Sequence, residues 1–104
     1  MVIQPGGPSV GGAAADDAST AAIAIPPLSN GANPKWVHVS MIGNNGNAVF
    51  IFGQAAVAAA TLTNGIGLHS NGPGSIVNVA GNTHYRVFGN GTAAAYTMTP
   101  LAGV

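Results

Sequence analysis

The chain has 104 residues, of which 47% are hydrophobic and 4% are charged, and two Lys or Arg balance two Asp or Glu to a formal net charge of zero. An average soluble domain carries about 25% charged residues, so this chain lacks both a basic patch for nucleic acid and the net charge that keeps free monomers apart. Cysteine is absent, which excludes disulfides and thiolate metal sites. We therefore expect one domain that is fixed in an assembly and has no nucleic acid as a partner.

The sequence gives no membrane signal. The first ten residues, MVIQPGGPSV, lack the basic segment and the long apolar stretch of a signal peptide. The longest mostly apolar run, residues 48–62, is interrupted by a Gly and a Gln and is shorter than the roughly 20 residues that span a bilayer. We expect synthesis in a cytoplasm and no membrane insertion.

Residues 1–19 form a first unit that differs from the rest of the chain. They are rich in Pro, Gly, Ala and Ser, contain no aromatic residue, and show no alternation of apolar and polar positions. This composition indicates an N-terminal arm outside the core, either a flexible tail or a segment that orders against a neighbouring subunit. In the second case Val2, Ile3 and Val10 are its expected contact residues.

The region after the arm predicts short strands. The segment TAAIAIPPLS, from Thr20, suits an edge strand that ends at two prolines. Residues 35–43 alternate between two faces of a strand. Val37, Val39 and Met41 share one face, and the other is formed by Trp36, His38, Ser40 and Ile42. Residues 48–53, AVFIFG, are apolar on both faces. The Asn- and Gly-rich residues between these two strands predict a tight hairpin.

The C-terminal half continues the same pattern. Residues 54–62 are Ala-rich, and we interpret them as an irregular strand, with helix as the alternative. Residues 63–75 are predicted to be loop, and three strands follow in SIVNVAG, THYRVFG and AAAYTMTPL, the last two joined by a hairpin at Asn90. Asn-Gly occurs five times, which favours an all-β fold. We predict a small antiparallel β-sandwich over residues 20–104, jelly-roll-like, with a small barrel as the alternative.

Side chains for catalysis are few. The two side-chain carboxylates, Asp16 and Asp17, are adjacent in the arm and cannot be held as a paired acid and base. His38, His69 and His84 lack the spacing of a compact metal motif and have no carboxylate to support them, so we interpret them as surface residues, with a three-histidine site as the alternative. We expect no enzymatic activity, no cofactor and no bound metal.

Four larger side chains are candidates for binding. Trp36, Tyr85 and Tyr96 suit core or interface packing, and a sugar-stacking platform is the alternative. Arg86 is the only guanidinium in the chain. Strand alternation places it opposite Tyr85 and Val87, where it is expected to contact a partner protein.

Most of the chain resembles a known class of virion protein. The stretches PKWVHVSMIGNNGNAVFIFG, GLHSNGPGSIVNVAGNTHYRVFGNG and AAAYTMTPLAG resemble the small β-sandwich decoration (cement) proteins of tailed bacteriophages, which sit on the outside of the capsid. The shared features are the V-x-V strand, the VFIFG strand, the loop before an apolar strand, the T-H-Y-x-V strand and a short final strand. The similarity covers residues 34–103.

This resemblance implies a virion structural protein without catalytic residues. It would bind the outer surface of the major capsid protein in multiple copies, as trimers or clusters at local symmetry axes, and stabilise the shell. Its expected location is therefore the capsid surface of the virion. The alternative is a head-fibre or tail-fibre β domain that binds host-surface glycans through an exposed Trp36.

Overall fold

The structure is a computed structural model that describes residues 3–13, 15–16, 18–42, 46–61, 64–69, 74–90 and 95–103. Within these ranges the chain forms ten β-strands and no helix. The strands are β1 Ile3–Pro5, β2 Val10–Ala13, β3 Ala15–Asp16, β4 Ile23–Ala24, β5 Trp36–Ile42, β6 Asn47–Gly53, β7 Ile66–His69, β8 Ser75–Asn78, β9 His84–Asn90 and β10 Ala95–Gly103.

The strands form two packed sheets in jelly-roll order. In sheet A, β1 and β2 both pair with one edge of β10, and β5 and β8 follow. In sheet B, β3 and β4 both pair with β9, and β6 and β7 follow. β3 is a short addition that pairs parallel with β9, whereas β4 pairs antiparallel with it. With β1–β2 counted as one interrupted strand and β4 as the second strand, the first, eighth, third and sixth strands form sheet A, and the second, seventh, fourth and fifth form sheet B. The predicted all-β, jelly-roll-like sandwich is confirmed.

Alternation along β5 shows why these residues form a sandwich. Val37, Val39 and Met41 are buried, whereas the residues between them are half-buried or exposed. The predicted assignment of the two faces of this strand is therefore correct. Because β5 pairs with β10 over seven residues and with β8 over four, its apolar face forms the middle of one core layer.

Three aromatic rings join the two sheets at the centre of the core. Phe50 lies edge-on to Tyr96, with ring centroids 5.1 Å apart. The hydroxyls of Tyr85 in sheet B and Tyr96 in sheet A are 2.8 Å apart and form a buried hydrogen bond. Burial raises the pKa of both phenols above the ordinary value of 10.0; the mutual hydrogen bond raises that of Tyr85 further and partly opposes the increase at Tyr96. Both tyrosines are therefore protonated at neutral pH, and one hydroxyl donates to the other.

The two predicted hairpins are wrong, because each joins strands of different sheets. β5 lies in sheet A and β6 in sheet B, while β9 lies in sheet B and β10 in sheet A. Gly46, the described residue just before β6, has a positive φ of 78°, which glycine adopts readily. A tight turn does not decide which sheet the next strand joins. That choice follows from long-range pairing, since β6 pairs with β9 over seven residues.

Two local assignments in the middle of the chain are also corrected. The described residues 54–61 form neither the predicted irregular strand nor a helix, but a turn closed by the Val57 N–H donating to the Gln54 carbonyl at 2.9 Å, followed by irregular chain. Small Ala side chains bury too little area to hold this stretch in a ladder. The predicted loop at 63–75 contains β7, which pairs with β6 at residues 47–50. Long-range pairing has overridden the glycine-rich composition there.

The described part of the N-terminal arm lies along the sandwich. β1 and β2 pair antiparallel with β10, and the register shifts by two residues between them. All four residues of β2 are exposed, as expected of a segment outside the core. Gly12 of β2 lies opposite Tyr96 of β10. Glycine is required there, because a Cβ at this position would lie 2.7 Å from the phenol oxygen of Tyr96. Whether the arm of residues 1–19 also orders against a neighbouring subunit stays a prediction.

The buried tyrosine pair leads to a stability test. We expect Tyr85→Phe and Tyr96→Phe each to lower the free energy of unfolding by about 1–3 kcal/mol, because each leaves a buried hydroxyl without a partner. The double Phe variant removes both hydroxyls together, so its loss should be smaller than the sum of the two single losses. Denaturant unfolding of the four proteins measures this coupling, and strictly additive losses would contradict the hydrogen bond.

Candidate functional site

The outer face of sheet A is an uncharged surface within the described part of the chain. Opposite residues on paired strands share a face, so the register of β5 with β10 and β8 defines the members of this face. They are Trp36, His38, Ser40 and Ile42 of β5, Ala95, Thr97, Thr99 and Leu101 of β10, and Ile76 and Asn78 of β8. None of these ten side chains is charged.

Large apolar side chains on this face are open to solvent. Ile42 and Ile76 are each 52% exposed, although Ile is among the residue types most often found buried. Trp36 and His38 are half-buried. Single exposed apolar residues are ordinary, but here they share one sheet face with a Trp and with no charge between them. The face therefore has the composition of a contact surface.

The opposite side of the sandwich is covered by the chain itself. Arg86 lies on the outer face of sheet B, where its Nε donates to the Thr20 carbonyl at 2.7 Å and its Nη1 donates to the Val57 carbonyl at 3.2 Å. Val57 packs so closely over Gly53 that a Cβ there would lie 2.9 Å from the Val57 Cγ2. One guanidinium thus holds two separate segments over sheet B.

Two further hydrogen bonds hold the chain segments that cover the outer face of sheet B. The Val87 N–H donates to the Thr20 hydroxyl at 3.1 Å, and the Ala60 N–H donates to the Ser19 hydroxyl at 3.0 Å. Ala60 is 2% exposed as a result. The described residues form no comparable hydrogen-bonded cover over the outer face of sheet A, although Leu101 on that face is 7% exposed and the hydroxyls of Ser9 and Thr99 are 2.6 Å apart. The two sides of the sandwich therefore differ in what they offer to a partner.

The structure places the predicted contact residues in different parts of the fold. Val2 lies outside the described residues, and Ile3 pairs with Gly103 in β1. Val10 is 39% exposed on β2. Trp36 belongs to the outer face of sheet A. The interface role of Arg86 stays a prediction, and its guanidinium has partners within its own chain.

The histidines are spread over the two sheets. His38 lies in sheet A, whereas His69 and His84 pair with the first and last residues of β6, Asn47 and Gly53, in sheet B. Six residues of strand separate these two positions by roughly 20 Å. Within the described ranges, no three His, Cys, Asp or Glu side chains are grouped so as to hold a metal ion. Asp16 lies in β3, and Asp17 lies outside the described residues.

Two members of the exposed face were not recognised as contact candidates from the sequence. Ile42 follows the alternation of β5 onto the face of Trp36, and that pattern was visible. Nothing in the sequence shows that β8 is an edge strand, and therefore nothing shows that Ile76 lies beside His38 and remains uncovered. Exposure of an apolar residue depends on which strands lie next to it, which is a tertiary property.

Comparison with known proteins gives no match to this chain, whether among family models, curated proteins or solved structures. No helix long and apolar enough to cross a membrane occurs in the described ranges.

The cover over sheet B leads to a test of Arg86. We expect Arg86→Ala to lower the free energy of unfolding by about 1.5–3 kcal/mol, because two backbone carbonyls lose their charged hydrogen-bond donor. Arg86→Lys is the matched control: it keeps the charge but cannot donate from a planar fork in two directions, so it should recover only part of the loss. Denaturant unfolding measures both variants. Full stability of Arg86→Ala would show that the two segments are held by other contacts.

Proposed function

We propose that this protein is a virion structural protein, a capsid decoration or cement protein that binds the outer surface of the major capsid protein and stabilises the shell. The observation that carries the proposal is the uncharged, uncovered outer face of sheet A on a chain of 104 residues with four charged side chains. The resemblance of residues 34–103 to phage decoration proteins supplies the class of partner.

The mechanism of such a protein is contact area. A stable interface buries about 1,600 Å² in total, and its centre is typically depleted of charge and rich in aromatic and aliphatic groups. The outer face of sheet A meets this description with Trp36, Ile42 and Ile76. A rigid sandwich laid across a seam between capsid subunits would add buried area that must be lost before the subunits separate. The free energy needed to expose that area again opposes the internal pressure of packaged DNA.

The segments over sheet B explain why the proposal selects sheet A. Thr20, Val57 and Ala60 already occupy the outer side of sheet B through hydrogen bonds within the chain. A partner would have to displace them to reach that sheet. Sheet A needs no such rearrangement within the described residues, so binding there has the smaller cost of reorganisation.

A charge placed on the proposed contact face tests this assignment. We expect Ile42→Lys to weaken binding to capsid shells by about tenfold or more, equivalent to about 1.4 kcal/mol, because the interface would have to bury an unpaired ammonium group. The shells are assembled from the major capsid protein without this protein, and co-sedimentation gives the bound fraction.

Ala58→Lys is the matched control, since Ala58 is exposed on the segment that covers sheet B. It adds the same charge on the other side of the sandwich and should leave binding unchanged. Equal binding of Ile42→Lys and wild-type protein would remove the outer face of sheet A from the proposal.

A second candidate function is that of a head-fibre or tail-fibre domain that binds host-surface glycans. The observation in its favour is that Trp36 is not fully buried and shares a face with His38 and Asn78, an arrangement with one stacking ring and nearby hydrogen-bonding groups. Jelly rolls include lectin domains as well as capsid proteins.

Replacement of Trp36 by Ala separates the two candidates. If the protein binds glycans, Trp36→Ala should abolish attachment of virions to host cells and leave the thermal stability of the shells unchanged. If the protein is a cement protein, the same variant should lower the temperature at which the shells release DNA, with attachment unaffected. Tyr96 is buried and unsuitable as a control, so the exposed Ile66→Ala change on β7 of sheet B serves instead.

A further inference from the structure

The free edges of the two sheets are protected to different degrees. Exposed edge strands tend to pair with other chains unless prolines, charges or bulges block them. The β1–β2 edge contains Pro5 in β1 and Pro8 between the two strands, and its register shifts by two residues. The β3–β4 edge contains Asp16 and is followed within one residue by two prolines. The β7 edge contains Gly67, which weakens pairing.

Strand β8 itself contains no proline, charge, glycine or register shift, although Pro73 and Gly74 precede it in the sequence. Its four residues are Ser75, Ile76, Val77 and Asn78, with no charge and no proline. β8 pairs with β5 on one side, and no described strand pairs with it on the other. Its outward-facing Ile76 is 52% exposed.

The pairing of β8 with β5 determines which backbone N–H and C=O groups of β8 face the open edge. The Val79 N–H donates to the Lys35 carbonyl at 2.8 Å, which fixes the hydrogen-bonded positions of the β5–β8 pair. These positions alternate along an antiparallel strand, so Val77 also bonds towards β5. It follows that Ile76 and Asn78 direct their backbone N–H and C=O groups to the open edge.

A second copy of this chain is complementary to that edge. Antiparallel pairing about a two-fold axis at Ile76 places the two Ile76 backbones in a reciprocal hydrogen-bonded pair. Because opposite residues share a face, the two Ile76 side chains come together on the outer face of an extended sheet A. The edge and the whole chain carry no net charge, so the pairing opposes no like charges.

We propose that two copies of this chain associate edge to edge through β8, with Ile76 of each copy opposite Ile76 of the other across a two-fold axis, so that sheet A continues through the pair. This inference goes beyond the proposed function, since it concerns the protein in solution without a shell. The dimer would present two outer faces of sheet A side by side as one larger uncharged surface.

Sedimentation velocity of the full chain over a concentration series tests the dimer. We expect a monomer–dimer equilibrium in the wild-type protein and a dissociation constant at least tenfold higher for Ile76→Lys, because an edge lysine is a common block to strand pairing. Ile42→Lys is the matched control: Ile42 is equally exposed on the same sheet face, at 52%, but lies on the interior strand β5. Its dissociation constant should be unchanged.

A cysteine cross-link tests the register without relying on a destabilising charge. The chain has no cysteine, so Ile76→Cys introduces a single thiol. A hydrogen-bonded antiparallel pair sets Cα atoms about 5.5 Å apart, within the range that a disulfide spans. We expect mild oxidation to link Ile76→Cys into a covalent dimer much faster than Ile42→Cys.

Three results would overturn the proposal. The first is a wild-type protein that remains monomeric to its solubility limit. The second is a dimer that Ile42→Lys dissociates as readily as Ile76→Lys, which would place the contact on the sheet face and not on the edge. The third is equal cross-linking rates for the two cysteine variants. None of these measurements involves a shell, so the proposed capsid function can fail or hold independently.

Discussion

The scarcity of charge is the constraint on which the rest of this molecule depends. Four charged side chains in 104 residues are too few to create a strong electrostatic potential over the protein surface. Arg86 is engaged with two backbone carbonyls of its own chain, both aspartates belong to the N-terminal arm, and the exposed Lys35 directly precedes β5. The outer face of sheet A consequently has hydroxyls, aliphatic groups, an imidazole and an indole, but no ion. A surface of this kind associates through buried area and shape, and its proposed role as a cement follows from that property.

The core determines where this neutral surface lies. The hydrogen bond between Tyr85 and Tyr96 and the edge-on contact of Phe50 join sheet A to sheet B at the centre of the sandwich. With the sheets fixed, period-two alternation puts Val37 and Val39 inside and leaves Ile42 outside. The cover over sheet B then makes the two sides unequal. One sheet is used by the chain itself, and the other remains available to a partner.

The sequence was sufficient to predict the fold class and the faces of individual strands, because both follow from local alternation, as in β5. It was insufficient to predict the sheet to which each strand belongs. The Asn-Gly sequences at Asn45 and Asn90 are compatible with a hairpin and with a crossing between sheets, and only the distant pairing partners distinguish the two. For the same reason Trp36 was recognised as a candidate contact residue, whereas the exposure of Ile76 depends on its position in an edge strand and was not foreseen.

We propose that partners bind this protein through an uncharged surface, and the ionic-strength dependence of binding to capsid shells measures whether charge contributes to that contact. Screening weakens contacts between exposed charges and leaves apolar contacts intact or slightly strengthened. We expect the affinity of the protein for capsid shells to stay constant or rise modestly as salt increases from low to about 1 M, where the Debye length is about 3 Å. A steep loss of affinity over that range would show that charge complementarity, and not a neutral contact surface, holds the complex.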